Sequence, residues 1–161
     1  MGKVSLEGGL PRLQSDYGNA AAYGTLHCRS QRVSIHRGQG RVPQRILLPC
    51  AEAHVIELYE LSDEDSAAFM RDVKVASLAL KKVTTAVKIN YEIHGNTIPH
   101  MHMHLYPRQI GDPFENGPID WRRRTAKTYE DGEFDAFIER MKTALKEVEQ
   151  GAATGAAMRR R

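Results

Sequence analysis

Val87-Lys88-Ile89-Asn90-Tyr91-Glu92-Ile93-His94 and, a few residues later, His100-Met101-His102-Met103-His104-Leu105-Tyr106 decide how this chain folds. In the first stretch the odd-numbered apolar residues alternate with polar ones, and the segment from Met101 to Tyr106 alternates in the same way. Alternation with period two marks a strand, because successive side chains leave the backbone on opposite faces. The pair predicts two antiparallel strands joined through the Gly95-Asn96 region. On the second of them His100, His102 and His104 should share one face, and Met101, Met103 and Leu105 the other.

Upstream, Tyr23 to Cys28 and Arg32 to His36 alternate too and predict neighbouring strands joined by a short turn. Ile46-Leu47-Leu48, ended by Pro49, predicts a further strand buried on both faces. Ser62 followed by Asp65 resembles a capping box, and Asp63, Glu64 and Asp65 suit the positive end of a helix. Phe69, Val73, Ala76, Leu80 and Val83 then recur at helical spacing, so a long amphipathic helix is expected from Asp63 to Thr85. A last helix, from about Gly132 to Glu149, would turn Phe134, Phe137, Ile138, Met141 and Leu145 toward the core. The class that follows is α+β: a mostly antiparallel sheet of five strands with one long helix and a C-terminal helix. Residues 1–22 have no clear period and read as an arm, 23–150 as a single domain, and 151–161 as a basic tail ending in Arg159, Arg160 and Arg161.

The bulk numbers fit that organisation. A chain of 161 residues is the usual size of one domain with a real core, and 41% apolar with 27% charged residues is an ordinary globular balance. A formal charge of +3 leans mildly toward anionic small molecules, and no specific nucleic-acid partner is expected. Cys28 and Cys50 form no Cys-x-x-Cys, so neither a disulfide framework nor a thiolate metal site is signalled, and a reducing, cytoplasmic setting is expected. The first residues lack the apolar stretch of a signal peptide, and no run approaches the ~20 apolar residues of a membrane span.

The chemistry lies in the histidines. Same-face neighbours on a strand are ~6.5–7 Å apart at ~3.3 Å per residue, which is too far for the rings to bond directly but suits three groups lining one substrate. Three imidazoles can supply a nucleophile, a proton donor and a phosphate clamp at neutral pH. The competing use of such a cluster is a metal site, since neutral imidazole is a common zinc ligand. Single histidines such as His27 and His36 read as ordinary structural residues.

The run His100-Met101-His102-Met103-His104-Leu105-Tyr106-Pro107-Arg108 resembles the signature of the histidine-triad (HIT) superfamily. Ile46-Leu47-Leu48-Pro49, His54-Val55 and Leu58-Tyr59-Glu60-Leu61-Ser62 are similar to the strand, turn and start of the helix that precede it in that family. Asn90-Tyr91-Glu92-Ile93 with Gly95-Asn96 before the triad, and Gly111-Asp112-Pro113 after it, look most like the bacterial branch related to diadenosine polyphosphate hydrolases. The resemblance implies a HIT-like fold, a homodimer, a nucleotide conjugate as substrate and no cofactor. It also implies a covalent route in which the middle imidazole, His102, attacks the α-phosphorus and forms a nucleotidyl-histidine. His104 would bond the phosphate or protonate the leaving group, and the backbone of His100 would hold His102 in its attacking tautomer. Asn90 and Asn96 match positions that touch phosphate oxygens.

Gln44 stands where two branches of the family carry a fourth histidine, which makes it the third candidate for contact with substrate. The stretch Arg37 to Arg45 offers neither the carboxylate nor the asparagine by which those branches hold ribose. The N-terminal Cys-x-x-Cys that holds zinc with a histidine like His54 in some bacterial members is missing. Trp121 with Arg122, Arg123 and Arg124 could face phosphate or form a solvated basic run. Three readings follow: a nucleotidyl hydrolase or transferase, a nucleotide-binding protein that keeps the triad without turnover, and a metal-binding protein using the same imidazoles.

Overall fold

The structure is a computed structural model. It describes residues 55–94, 100–114, 116–119 and 130–158, with side chains as far as 151, and three earlier strands by their backbone. In chain order the elements are β1 (Tyr23–Cys28), β2 (Gln31–His36), β3 (Arg45–Pro49), α1 (Asp63–Thr84), β4 (Lys88–Ile93), β5 (His102–Arg108) and α2 (Glu133–Met158). Every strand pairing is antiparallel, and the order across the sheet is β1-β2-β3-β5-β4. The α+β class with an antiparallel sheet is as the residue pattern implies.

Helix α1 begins where its cap is written. Ser62 Oγ accepts the backbone N–H of Asp65 at 3.1 Å, and three acidic residues fill the first turn. Satisfying an otherwise orphaned donor in this way is worth about 1 kcal/mol. The helix stops at Thr85, which takes a left-handed conformation (φ 55°). A β-branched residue rarely does so, and the next residues turn at once into β4.

Helix α2 continues to Met158, past the expected end at Glu149. Gly151 suggests a stop, but the following Ala152, Ala153, Ala156 and Ala157 are the strongest helix formers. An interior glycine costs only about 1 kcal/mol, so the helix runs through both Gly151 and Gly155.

The two helices pack on one another, and α1 lies against the sheet. The core between them contains Phe69, Val73, Ala76 and Leu80 from α1, Phe137, Ile138, Met141 and Leu145 from α2, Ile89 from β4, and Met103 and Leu105 from β5, with Met101 just before that strand. Val83, expected in the same row, is only partly buried at its edge. Ile89, Met103 and Leu105 are odd-numbered residues of β4 and β5, so the helices cover that face of the strand pair at these positions and leave the even-numbered residues on the other. Tyr91 and Ile93, which alternate with Ile89 in the sequence, lie past that cover and are about half exposed.

Strand β5 lies between β3 and β4. β3 pairs it through Ile46↔Leu105, Leu47↔His104, Leu48↔Met103 and Pro49↔His102, and β4 pairs it from Lys88↔Arg108 to Ile93↔Met103. All seven of its residues are buried. Pro107 falls beyond the overlap with β3, where only β4 flanks the strand, and a missing N–H is tolerated at such a position.

The core makes a graded prediction. Phe137→Ala, which empties a site only 1% exposed, should cost ~3–5 kcal/mol in urea unfolding. Met70→Ala, at a side of α1 that is half exposed, should change stability by no more than about 0.5 kcal/mol. Equal losses from the two would contradict this assignment of the core.

Candidate active site

The face of β5 turned away from the helices carries His102, His104, Tyr106 and Arg108, all of them buried. Residues directly opposite one another in an antiparallel pair share a face. The register therefore adds Glu92, opposite His104, and Asn90, opposite Tyr106. His94, one residue past the end of β4, meets the ring of His104 at a centroid distance of 5.4 Å.

His102 is oriented from its own backbone. Its Nδ1 lies 2.7 Å from the carbonyl oxygen of His100. A carbonyl only accepts, so Nδ1 carries the proton, and in the neutral ring Nε2 keeps its lone pair. Nε2 faces Nε2 of His104 at 3.1 Å, which makes His104 the donor between them. The ring centroids are 4.9 Å apart and inclined by 62°.

This contact corrects the expectation that the imidazoles stand too far apart to bond. The strand repeat fixes the distance between successive same-face Cα atoms, but the rings tilt toward one another from those anchors and their tips meet. The alternation argument also fails at its first member. His100 sits in a bend before β5, half buried, and what it brings to His102 is its carbonyl oxygen.

Of the other sequence candidates, Asn90 lies on the imidazole face, half buried, three pairs along from the end of β4 that His94 follows. Asn96 and Gln44 lie outside the described residues, as do His54, Trp121 and Arg122 to Arg124. Among the described residues no three His, Cys, Asp or Glu side chains are disposed to hold a metal ion.

The HIT domain family profile matches residues 29–111, more than half of the 161-residue chain, and takes in β2 to β5. The chain belongs to the HIT domain family. A histidine triad protein from Sinorhizobium meliloti, known from its crystal structure, is 29% identical with a TM-score of 0.61, covering 73% of this chain and 84% of that one. A histidine triad protein from Marinobacter aquaeolei is 22% identical with a TM-score of 0.67 over 80% of this chain and 93% of its own. A structure described as a hypothetical histidine triad nucleotide-binding protein from Sulfolobus tokodaii is 17% identical, with a TM-score of 0.58 over 79% of this chain and 86% of its own. The last two show likeness of fold alone. No curated protein matches the chain. HIT domain proteins are in general nucleotide-binding hydrolases or transferases.

One feature of this HIT domain escapes a reading of the triad alone. Arg108, which ends β5 on the imidazole face, turns its guanidinium onto Asp112 with two hydrogen bonds, Nε to Oδ2 at 2.7 Å and a terminal nitrogen to Oδ1 at 2.8 Å. Its remaining donors reach the carbonyls of Gly117, at 2.8 Å, and Phe114. Asp112 in turn accepts the backbone N–H groups of Phe114 and Gln109, at 2.8 and 3.2 Å. Gly111 permits the turn that brings the carboxylate back, at φ 74°. The arginine is thus committed to folding the segment after the triad. An acid four residues beyond an arginine, across a Gly-Asp-Pro turn, was the available signal.

The guanidinium beside Asp112, helped by the two backbone donors, holds its carboxyl down to about 2. An unfolded Asp titrates near ~3.9, so the unfolded chain takes up this proton first. The stability contributed is fully present above about pH 4 and is lost as pH falls toward about 2, on the order of 2 kcal/mol. Urea unfolding of wild type and Asp112→Asn at pH 7 and pH 2.5 should show the drop between the two pH values shrinking by roughly that amount in the variant. An unchanged drop would remove Asp112 from the acid response.

Proposed function

We propose that this HIT domain is a nucleotidyl hydrolase or transferase that acts at the α-phosphorus of a nucleotide conjugate through His102. The observation that supports it most is the bond from His102 Nδ1 to the His100 carbonyl, because it leaves the lone pair on the nitrogen that faces His104. A nucleophile needs that lone pair, and a tautomer fixed from behind need not be selected at each turnover.

In the proposed step His102 Nε2 forms a bond to the α-phosphorus as the bond from phosphorus to the leaving oxygen or nitrogen breaks. His104, protonated on both ring nitrogens at this point, passes its Nε2 proton to that leaving atom and is left neutral. Water or another acceptor then attacks the phosphorus and gives its proton to His104 as the bond to His102 breaks, which restores both rings. To take substrate, His102 must exchange its bond with His104 for one to phosphorus, so the 3.1 Å contact describes the site before substrate arrives. Donors around the phosphoryl oxygens would absorb the charge that builds there, with Asn90, Asn96 and Gln44 as candidates.

The reading extends to a homodimer, to a single domain over 23–150 with a five-stranded sheet, and to the branch related to diadenosine polyphosphate hydrolases. The homodimer and the branch rest on sequence resemblance, and the domain bounds and strand number on the periodicity of the residues. A nucleotide-binding protein without turnover is the alternative separated by the same experiment.

Wild type and His102→Ala, incubated with diadenosine polyphosphates and with adenosine phosphoramidates and then quenched in acid-free denaturant, should differ in two ways. Wild type should form product and carry an adenylyl group on the peptide containing His102. The variant should carry none and turn over at least ~10³-fold more slowly. Full activity in His102→Ala would end the assignment, and nucleotide binding by calorimetry with no product would favour the binding protein.

A further inference from the structure

His94 has no part in the chemistry above, yet it is built into the same face. Its Nε2 lies 2.9 Å from Glu92 Oε2. Its ring meets that of His104 edge to face, with centroids 5.4 Å apart and planes inclined by 67°. Glu92 is itself the cross-strand partner of His104. The carboxylate that orients His94 therefore springs from the position opposite the ring that His94 touches.

Burial does not hold His94 in place, since its side chain is 51% exposed, whereas that of Glu92 is 23% exposed. A half-exposed imidazole that keeps one orientation needs a partner, and the carboxylate supplies it. On the other side along β5, Tyr106 lies parallel to His104, with centroids 5.9 Å apart and planes within 6°. The ring of His104 thus has His94 toward the His102 end of the strand and Tyr106 toward the Arg108 end.

A histidine ring turns readily about its second side-chain torsion, where the energy wells are broad and two-fold. Turning by half a revolution would carry Nε2 of His104 away from His102 and put carbon in its place. An edge-to-face contact favours one ring orientation by a factor of up to about ten. We propose that His94, oriented by Glu92, is a positioning residue that keeps His104 Nε2 directed at the place where the leaving group departs. The inference rests on the functional reading above, in which His104 gives its proton to that group.

Wild type, His94→Ala and His94→Phe test it with two adenylyl substrates. An alkylamine phosphoramidate needs a proton on its leaving nitrogen, and a nitrophenyl ester departs without one. His94→Ala should lower kcat for the amine substrate on the order of tenfold, leave KM within about twofold, and barely touch the nitrophenyl ester. His94→Phe, which restores an aromatic edge, should recover most of the loss. Equal loss on both substrates, no loss on either, or no recovery with Phe would overturn the proposal, leaving His94 and Glu92 a surface pair.

Imidazole nitrogen NMR supplies an arm that does not need turnover. In wild type His104 should report a proton on Nε2. In His94→Ala its signals should move toward a mixture of tautomers, and in His94→Phe they should return. Identical His104 signals in all three proteins would also overturn the proposal. A wild type that makes neither product nor His102 adduct, but whose His104 signals still answer to His94, would end the functional reading and leave the positioning role standing.

Discussion

Strand β5 has hydrogen-bonded neighbours on both edges, and the rest of the molecule follows from that constraint. With β3 on one side and β4 on the other, its side chains have only the two faces of the sheet to occupy. The odd residues Met103 and Leu105 go under the helices, and the even residues His102, His104, Tyr106 and Arg108 go to the opposite face. The packing of α1 and α2 thereby fixes the plane from which the imidazoles project. Core and site are two sides of one strand, and a shift of one residue in its pairing would exchange them.

Much of this was legible because it is periodic or local. Ser62 and Asp65 announced the start of α1, and the rows through Phe69 and Leu80, and through Phe137 and Met141, gave the buried faces of both helices. The hairpin-like pairing of β4 with β5 was written in alternation. What was not legible depends on where side-chain tips end up. Cα spacing says nothing of ring tilt, so the bond between His102 and His104 was missed. A peptide carbonyl has no letter of its own in the sequence, and the role of His100 shows as a backbone acceptor only when the bend before β5 is seen. His94 read simply as one polar member of an alternating strand, because nothing in its own neighbourhood marks the ring it meets across the pair.

The far end of the strand shows a second use of charge. Arg108 and Asp112 are both nearly buried, and an ion pair in such a place is strong only if its other hydrogen-bonding positions are also filled. Here the carbonyls of Phe114 and Gly117 and the backbone N–H groups of Gln109 and Phe114 fill them. Asp112 also holds Arg108 above the usual arginine range, so this guanidinium stays charged and in place. The segment after the triad is fastened by polar bonds, with Phe114 as its buried apolar anchor.

Because the two faces of β5 answer to different demands, they should drift differently among descendants of this chain. At Met103 and Leu105 the requirement is for volume and an absence of polar atoms, which several aliphatic side chains meet, methionine adaptably so. At His102 and His104 it is for a particular nitrogen at a particular place, which no other side chain offers. An interleaved strand of this kind can trade freely at every second letter and hardly at all between, and it admits no insertion or deletion, since one residue more or less would send the permissive letters to the chemistry and the strict ones to the core.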